Sequence, residues 1–141
     1  MQRTIFVMLL ATMSNGDTCA RSERDGNRMP AEWVVAGDSE KYTAYADPRA
    51  ILKAGDLTRV WELLDLKQTY QLGNGEPHRS IKRQSEYDCK QGRWRTIFLS
   101  FYSGRMATGQ VVYSSAEPDN WQSVPIGSVG DALRRLACDK R

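Results

Sequence analysis

Histidine is nearly missing from this sequence: His78 is the only one, in a Gly/Pro-containing stretch beside Arg79. With one imidazole and three cysteines there is no CxxC, no HxH and no clustered His–carboxylate set, so the usual zinc-ligand spacings are absent. There is no G-x-S-x-G, and a serine or cysteine nucleophile would have only His78 as a conventional base. Gly73-Asn74-Gly75 is too short to cradle a phosphate and no strand–loop–helix pattern surrounds it. His78 is therefore expected to be a surface histidine, and no cofactor or metal is expected. No apolar run reaches membrane-spanning length, and neither repeats nor low-complexity tracts occur. The formal net charge is only +3, which does not mark a nucleic-acid binder.

What is present begins with a leader. Arg3 precedes the run Ile5 to Met13, in which Thr12 is the only polar residue, and Ser14-Asn15-Gly16 ends it. That order predicts a secretory signal peptide over residues 1–20, with cleavage after Thr18-Cys19-Ala20. Lipidation at Cys19 is the weaker alternative, because Gly16-Asp17-Thr18 does not match a lipobox. Residues 21–31 are charged and end near Pro30, which predicts a flexible lead-in to a single domain over residues 32–141. Export leaves Cys89 and Cys138 in a compartment that permits disulfides. They either pair or remain two separately buried thiols.

The domain reads as β-rich. Glu32 to Ala36 and Lys41 to Asp47 form a hairpin about Gly37-Asp38-Ser39, and Pro48 ends the second strand. Ile51 to Asp56 is a short extended or turn segment, and Leu57 to Lys67 a long alternating strand. Gln68 to His78 reads as a loop, Arg79 to Lys90 as a further strand, and Gln91-Gly92 as a turn. The stretch up to Tyr102 is apolar on both faces, with Ile97, Leu99 and Phe101 on one and Trp94, Phe98 and Tyr102 on the other. A strand of that kind is normally covered on both sides, which predicts the central strand here. Gln110 to Ser115 is the last strand and Glu117 to Ile126 a crossing loop. Ser128-Val129-Gly130-Asp131 opens a helix as a capping-box variant, with Val129, Ala132, Leu133 and Leu136 inward. The fold class is α+β: an antiparallel sheet of about six strands, or two packed sheets, with a C-terminal helix.

Two groupings carry possible function. Arg79, Lys82, Arg83, Lys90, Arg93 and Arg95 fall within seventeen residues, flanked by Tyr87 and Trp94. On hairpin strands, Lys82, Arg83, Lys90, Arg93, Trp94 and Arg95 would make a basic, aromatic-edged face suited to acidic protein segments or acidic glycans. The competing reading is a normally solvated face with Glu86 and Asp88 as ion-pair partners. Asp47, Glu62, Asp65, Glu86 and Asp88 could also converge as catalytic carboxylates, although acids are numerous enough for coincidence.

Several residues together carry a resemblance. Trp33-Val34-Val35 is followed by Tyr45-Ala46-Asp47, Ile51, and Val60-Trp61-Glu62-Leu63-Leu64-Asp65. Then come Ser80, Asp88-Cys89, the aromatic strand, Gly109-Gln110-Val111-Val112, Trp121 and Leu136-Ala137-Cys138. From Glu32 to Cys138 this resembles the surface-adhesin protein E family of Gram-negative bacteria. The resemblance implies an exported α+β domain with a Cys89–Cys138 bridge and no catalytic role. It also implies host matrix or serum proteins such as vitronectin, laminin and plasminogen as partners. The mismatch at Gly16-Asp17-Thr18 leaves the periplasm, the outer surface and secretion all open, and adds an envelope-internal partner as a possibility. The alternatives are a small periplasmic enzyme or enzyme inhibitor built from loop residues, an assembly factor, and a homodimer paired through the Glu32 to Ala36 edge.

Overall fold

The computed structural model describes residues 31–139. The expected leader over residues 1–20 with its Cys19, and the lead-in up to residue 30, lie outside them. Alternating short side chains and a serine turn produce the first hairpin, β1 (Val34–Asp38) and β2 (Tyr42–Ala46). Ser39 closes it: its backbone N–H donates to the Tyr42 carbonyl at 2.9 Å, and its Oγ accepts from the Tyr42 N–H. Pro48 then starts a single 3-10 turn, whose first free amide, that of Arg49, is capped by Asp47 at 3.0 Å.

The rest of the sheet follows in chain order. β3 (Leu52–Ala54) turns at Gly55, whose φ of 62° suits glycine, into β4 (Leu57–Gln71). β5 (Pro77–Asp88) and β6 (Arg93–Tyr102) are joined by a tight turn with Gly92 at φ 64°. β7 (Val111–Ser115), β8 (Gln122–Ser123) and α1 (Val129–Asp139) complete the domain.

All strand pairings are antiparallel, in the order β1-β2-β4-β5-β6-β7. Both flanks of the three long strands are split. β3 pairs with the start of β4 where β2 leaves off, and β8 pairs with the start of β6 below β7. The result is one sheet of eight strands rather than about six, or two sheets. The two extra strands have three and two residues, too few for a period to show in sequence. The segment Gln68 to His78 is also more ordered than a loop. Tyr70 pairs with His78 and Gln71 with Pro77, and only Leu72 to Glu76 turns.

β6 is not the centre of the sheet. β4 and β5 hold that place, and the six apolar side chains of β6 read as core are all only half-buried. One helix covers one face, so a strand apolar on both sides does not require two covers here. A bulge adds a second correction. Phe98 lies opposite Gln84 but Thr96 opposite Ser85, so Ile97 is an extra residue. Trp94 is thereby turned to the α1 side, opposite Tyr87, while Phe98 stays on the other face.

The core lies between the sheet and α1: Ala44, Ala46, Val60, Leu64 and Tyr87 meet Leu133 and Ala137. Small residues bring the helix close; a Cβ on Gly37 would stand 3.0 Å from a Val129 methyl. The helix starts with reciprocal caps. Ser128 Oγ accepts from the Asp131 N–H at 3.1 Å, and Asp131 Oδ2 accepts from the Gly127 N–H at 3.0 Å. The Gly127 amide, with Arg134 and Arg135, holds the Asp131 carboxyl down to about 2. Cys89, just past β5, is joined to Cys138 in the last turn of α1, with Cα atoms 5.6 Å apart.

Candidate binding face

Strand alternation divides the basic residues between two environments. Arg83 and Trp94 face α1. There Arg83 Nε donates to Glu62 Oε2 at 2.7 Å, and its guanidinium lies 4.9 Å from the centre of the Trp94 ring. Glu62 is fully buried and also accepts from Ser85 Oγ at 2.8 Å and from the Tyr87 hydroxyl. Burial, and then the Glu62 charge, push the Tyr87 hydroxyl well above its ordinary pKa. This network is internal. It leaves Arg83 and Trp94 little to offer a partner.

Lys82, Arg93 and Arg95 lie on the face turned away from α1, and Lys90 is exposed in the β5–β6 turn. Register puts Arg59, Glu86 and Arg95 opposite one another on β4, β5 and β6. Arg59 Nε donates to Glu86 Oε2 at 2.9 Å, and Arg95 donates to Glu86 Oε1 through Nε at 3.0 Å and through a terminal nitrogen at 2.8 Å. Arg93 Nε donates to Asp88 Oδ2 at 3.1 Å. Trp121, just before β8, lies 4.7 Å and 4.5 Å from the Arg93 and Arg95 guanidinium carbons. Burial opposes charge on Glu86, but the arginine hydrogen bonds outweigh it and lower its pKa. The backbone N–H of Gln91, then Arg93, lower Asp88. Both carboxylates are buried, while Arg59 and Arg93 keep 53% and 40% of their side chains exposed.

Further along the same face, Lys82 Nζ stands 5.0 Å from the centre of the Trp61 ring, which meets Phe98 edge-on at 5.6 Å. Lys82 is not a neighbour of Arg93. It is opposite Ser100, whereas Arg93 is opposite Asp88, a separation of roughly 20 Å along β5. At the far end the β6–β7 loop is tied down by buried side chains. Asp65 Oδ1 accepts from the Met106 N–H at 3.0 Å, and Ser80 Oγ accepts from the Ala107 N–H at 2.9 Å.

Arg59, Trp61, Phe98 and Trp121 were missing from the sequence-based candidates. Alternation along Leu57 to Lys67 already placed Trp61 beside Arg59 in parity; Trp121, in a loop, had no such signal. The candidate carboxylates do not converge. Glu62 and Glu86 lie on opposite faces of the sheet, and Asp65 anchors the loop. His78 is a further correction: it is buried, stacked on Phe101 at 4.7 Å and near Tyr70 at 6.3 Å. A hydrophobic stack explains the burial, and its Nδ1 has no hydrogen-bond partner among the described residues. An open cleft of about 260 Å³ runs beside Thr96, Leu99 and Tyr113, with the solvent-exposed acids Glu117 and Asp119 on its rim. Among the described residues, no group of His, Cys, Asp and Glu is placed to hold a metal ion, and no helix is long and apolar enough to cross a membrane.

The family model for surface-adhesin protein E matches residues 33–139, the whole of this sheet and helix. The chain belongs to the surface-adhesin protein E family. Membership in this family makes it a surface-associated adhesin. Solved structures agree in fold. A second crystal form of Haemophilus influenzae protein E superposes with a TM-score of 0.57 at 11% identity, covering 77% of this chain and 97% of that one. Another structure of Haemophilus influenzae protein E gives 0.55 at 11%, covering 79% and 91%. The protein from non-typeable Haemophilus influenzae gives 0.55 at 11%, covering 80% and 79%. No curated protein matches the sequence. At this identity the family shares a backbone, and the side chains of the open face must be judged on their own chemistry.

Proposed function

We propose that this adhesin E domain is a non-enzymatic binding module of the cell envelope. In this reading an export signal over residues 1–20 delivers it, and it recognises host matrix or serum proteins through the sheet face opposite α1. The observation that carries the reading is the set of Arg59, Arg93 and Arg95. Their Nε atoms are held by buried Glu86 and Asp88, and Arg59 and Arg93 keep 53% and 40% of their side chains in solvent. Side chains already held in place lose little entropy when a ligand arrives. Lys82 and Trp61 extend the face. An enzyme has less support, since His78 is buried in an aromatic stack and no acid among the described residues bonds its Nδ1.

The test is binding of the purified chain to immobilised vitronectin, laminin and plasminogen across a salt series. Binding is expected to weaken as salt rises and to be lost in the double variant Lys82→Glu/Arg93→Glu. Unchanged binding by that variant removes the face from consideration. A second reading, homodimerisation through the β1 edge, is favoured by Val34 and Val35, which are 42% and 59% exposed there. Sedimentation equilibrium over a concentration range decides it.

A further inference from the structure

On the face opposite α1, register sorts the side chains of the three long strands into rungs. Arg59, Glu86 and Arg95 form one, Trp61, Gln84 and Phe98 the next, and Leu63, Lys82 and Ser100 a third. Same-face rungs repeat about every 7 Å, so a cationic, an aromatic and a second cationic rung succeed one another over roughly 14 Å. We infer that this stripe binds a linear sulfated polysaccharide lying along β5, its sugar rings against Trp61 and Phe98 and its sulfates on Arg59 and Lys82. The inference rests on the reading of the open face as the recognition surface, and names its ligand class.

Two features select a sulfated glycan over an acidic peptide, and a third suits any anion with paired oxygens. Extended peptides gain affinity by pairing with a free strand edge, but β4, β5 and β6 already have strands on both sides here. Recognition on this stripe must therefore use side chains. The half-exposed rings of Trp61 and Phe98 offer an apolar platform to the C–H face of a sugar, which an acidic side chain lacks. Arg59 and Arg93 bond inward through Nε, leaving both terminal nitrogens of each for paired oxygens of a sulfate. Glu86 and Asp88 lie beneath the guanidinium groups, so the surface a polyanion meets is positive.

The test is titration calorimetry of the purified chain with a heparin octasaccharide at several salt concentrations, with far-UV circular dichroism confirming each variant's fold. The expected result is binding whose log K falls linearly with log salt, with a shallower slope in Arg59→Gln and Lys82→Gln. Trp61→Ala is expected to weaken binding roughly tenfold with little change in slope, and Trp61→Phe to retain most of it. If Trp61→Ala fails to fold, the Trp61→Phe and Lys82→Gln arms still decide. No heparin binding overturns the inference. So does equal binding of a polyglutamate peptide of matched charge with no effect at Trp61, or tighter binding of a single-stranded oligonucleotide. Matrix proteins lost on Lys82→Glu/Arg93→Glu without any heparin binding would sink the inference alone. Heparin bound by the stripe while matrix proteins are ignored would sustain it and sink the proposed protein-binding role.

Discussion

Glu62 on β4 and Arg83 on β5 are register partners whose side chains meet at 2.7 Å, with Glu62 fully enclosed under α1. Three residues along, on the other face, Arg59 and Glu86 meet at 2.9 Å with the arginine half in solvent. The chemistry is the same, but burial assigns one pair to the fold and leaves the other at the surface.

That contrast is measurable. Arg83→Met leaves a carboxylate buried without its cation and is expected to cost about 3–5 kcal/mol. Arg59→Met leaves Glu86 still bonded to Arg95 and should cost about 1 kcal/mol or less. Urea denaturation of both variants checks this, and equal losses would contradict the assignment.

The bridge between Cys89 and Cys138 closes a separation of 49 residues. In the chain-entropy account its removal costs about 4 kcal/mol. Cys89→Ser/Cys138→Ser should lower the urea midpoint, and the helix amides should lose hydrogen-exchange protection before those of β4 and β5. Uniform loss across helix and sheet would show that α1 does not open separately.

His78 supplies a pH dependence. Burial lowers its pKa below the ordinary 6.5, outweighing the Glu76 backbone contact that favours the charge. The unfolded chain therefore takes up a proton first as pH falls below 6.5, and stability declines until the folded pKa is passed. His78→Phe keeps the ring against Phe101 and removes the titration. Its melting temperature should fall less than the wild type's between pH 7 and pH 5, and parallel curves would refute the role of His78.

Met106 and Ala107 adopt φ of 52° and 57°, a left-handed backbone held by the hydrogen bonds to Asp65 and Ser80. Ala107→Gly relieves a strain of about 1–2 kcal/mol. It also frees the unfolded chain, so a net gain of up to roughly 1 kcal/mol is expected by thermal denaturation. A clear loss would mean that the alanine methyl packs usefully there.

Much of the fold was legible because it depends on short-range rules. The β1–β2 hairpin, the strands from Leu57 and Arg79, the Gly92 turn and the Ser128–Asp131 cap all announce themselves within a few residues. The sheet's centre did not. Apolar side chains on both faces of the Trp94 to Tyr102 stretch look like a doubly covered strand, yet all six of them are only half-buried. β3 and β8 are too short for a period, and the hairpin of Tyr70 and His78 was masked by Gly73, Gly75 and Pro77.

The candidate face was half legible. Its basic character could be read from Arg79 to Arg95, but parity counted without the Ile97 bulge puts Trp94 on the face of Phe98 rather than on the α1 side. Trp121 reaches Arg93 and Arg95 from a loop far along the chain.

The sequence alone determined a β-rich domain with a capped C-terminal helix, because hydrophobic period, turn residues and caps are properties of neighbours. Only the tertiary structure decided that Arg83 is internal and Arg59 external, that Trp61 and Phe98 stand between cations, and that His78 is buried. Register, bulges and the single covering helix set those outcomes, because burial is a property of what packs across the sheet rather than of what lies alongside in the chain.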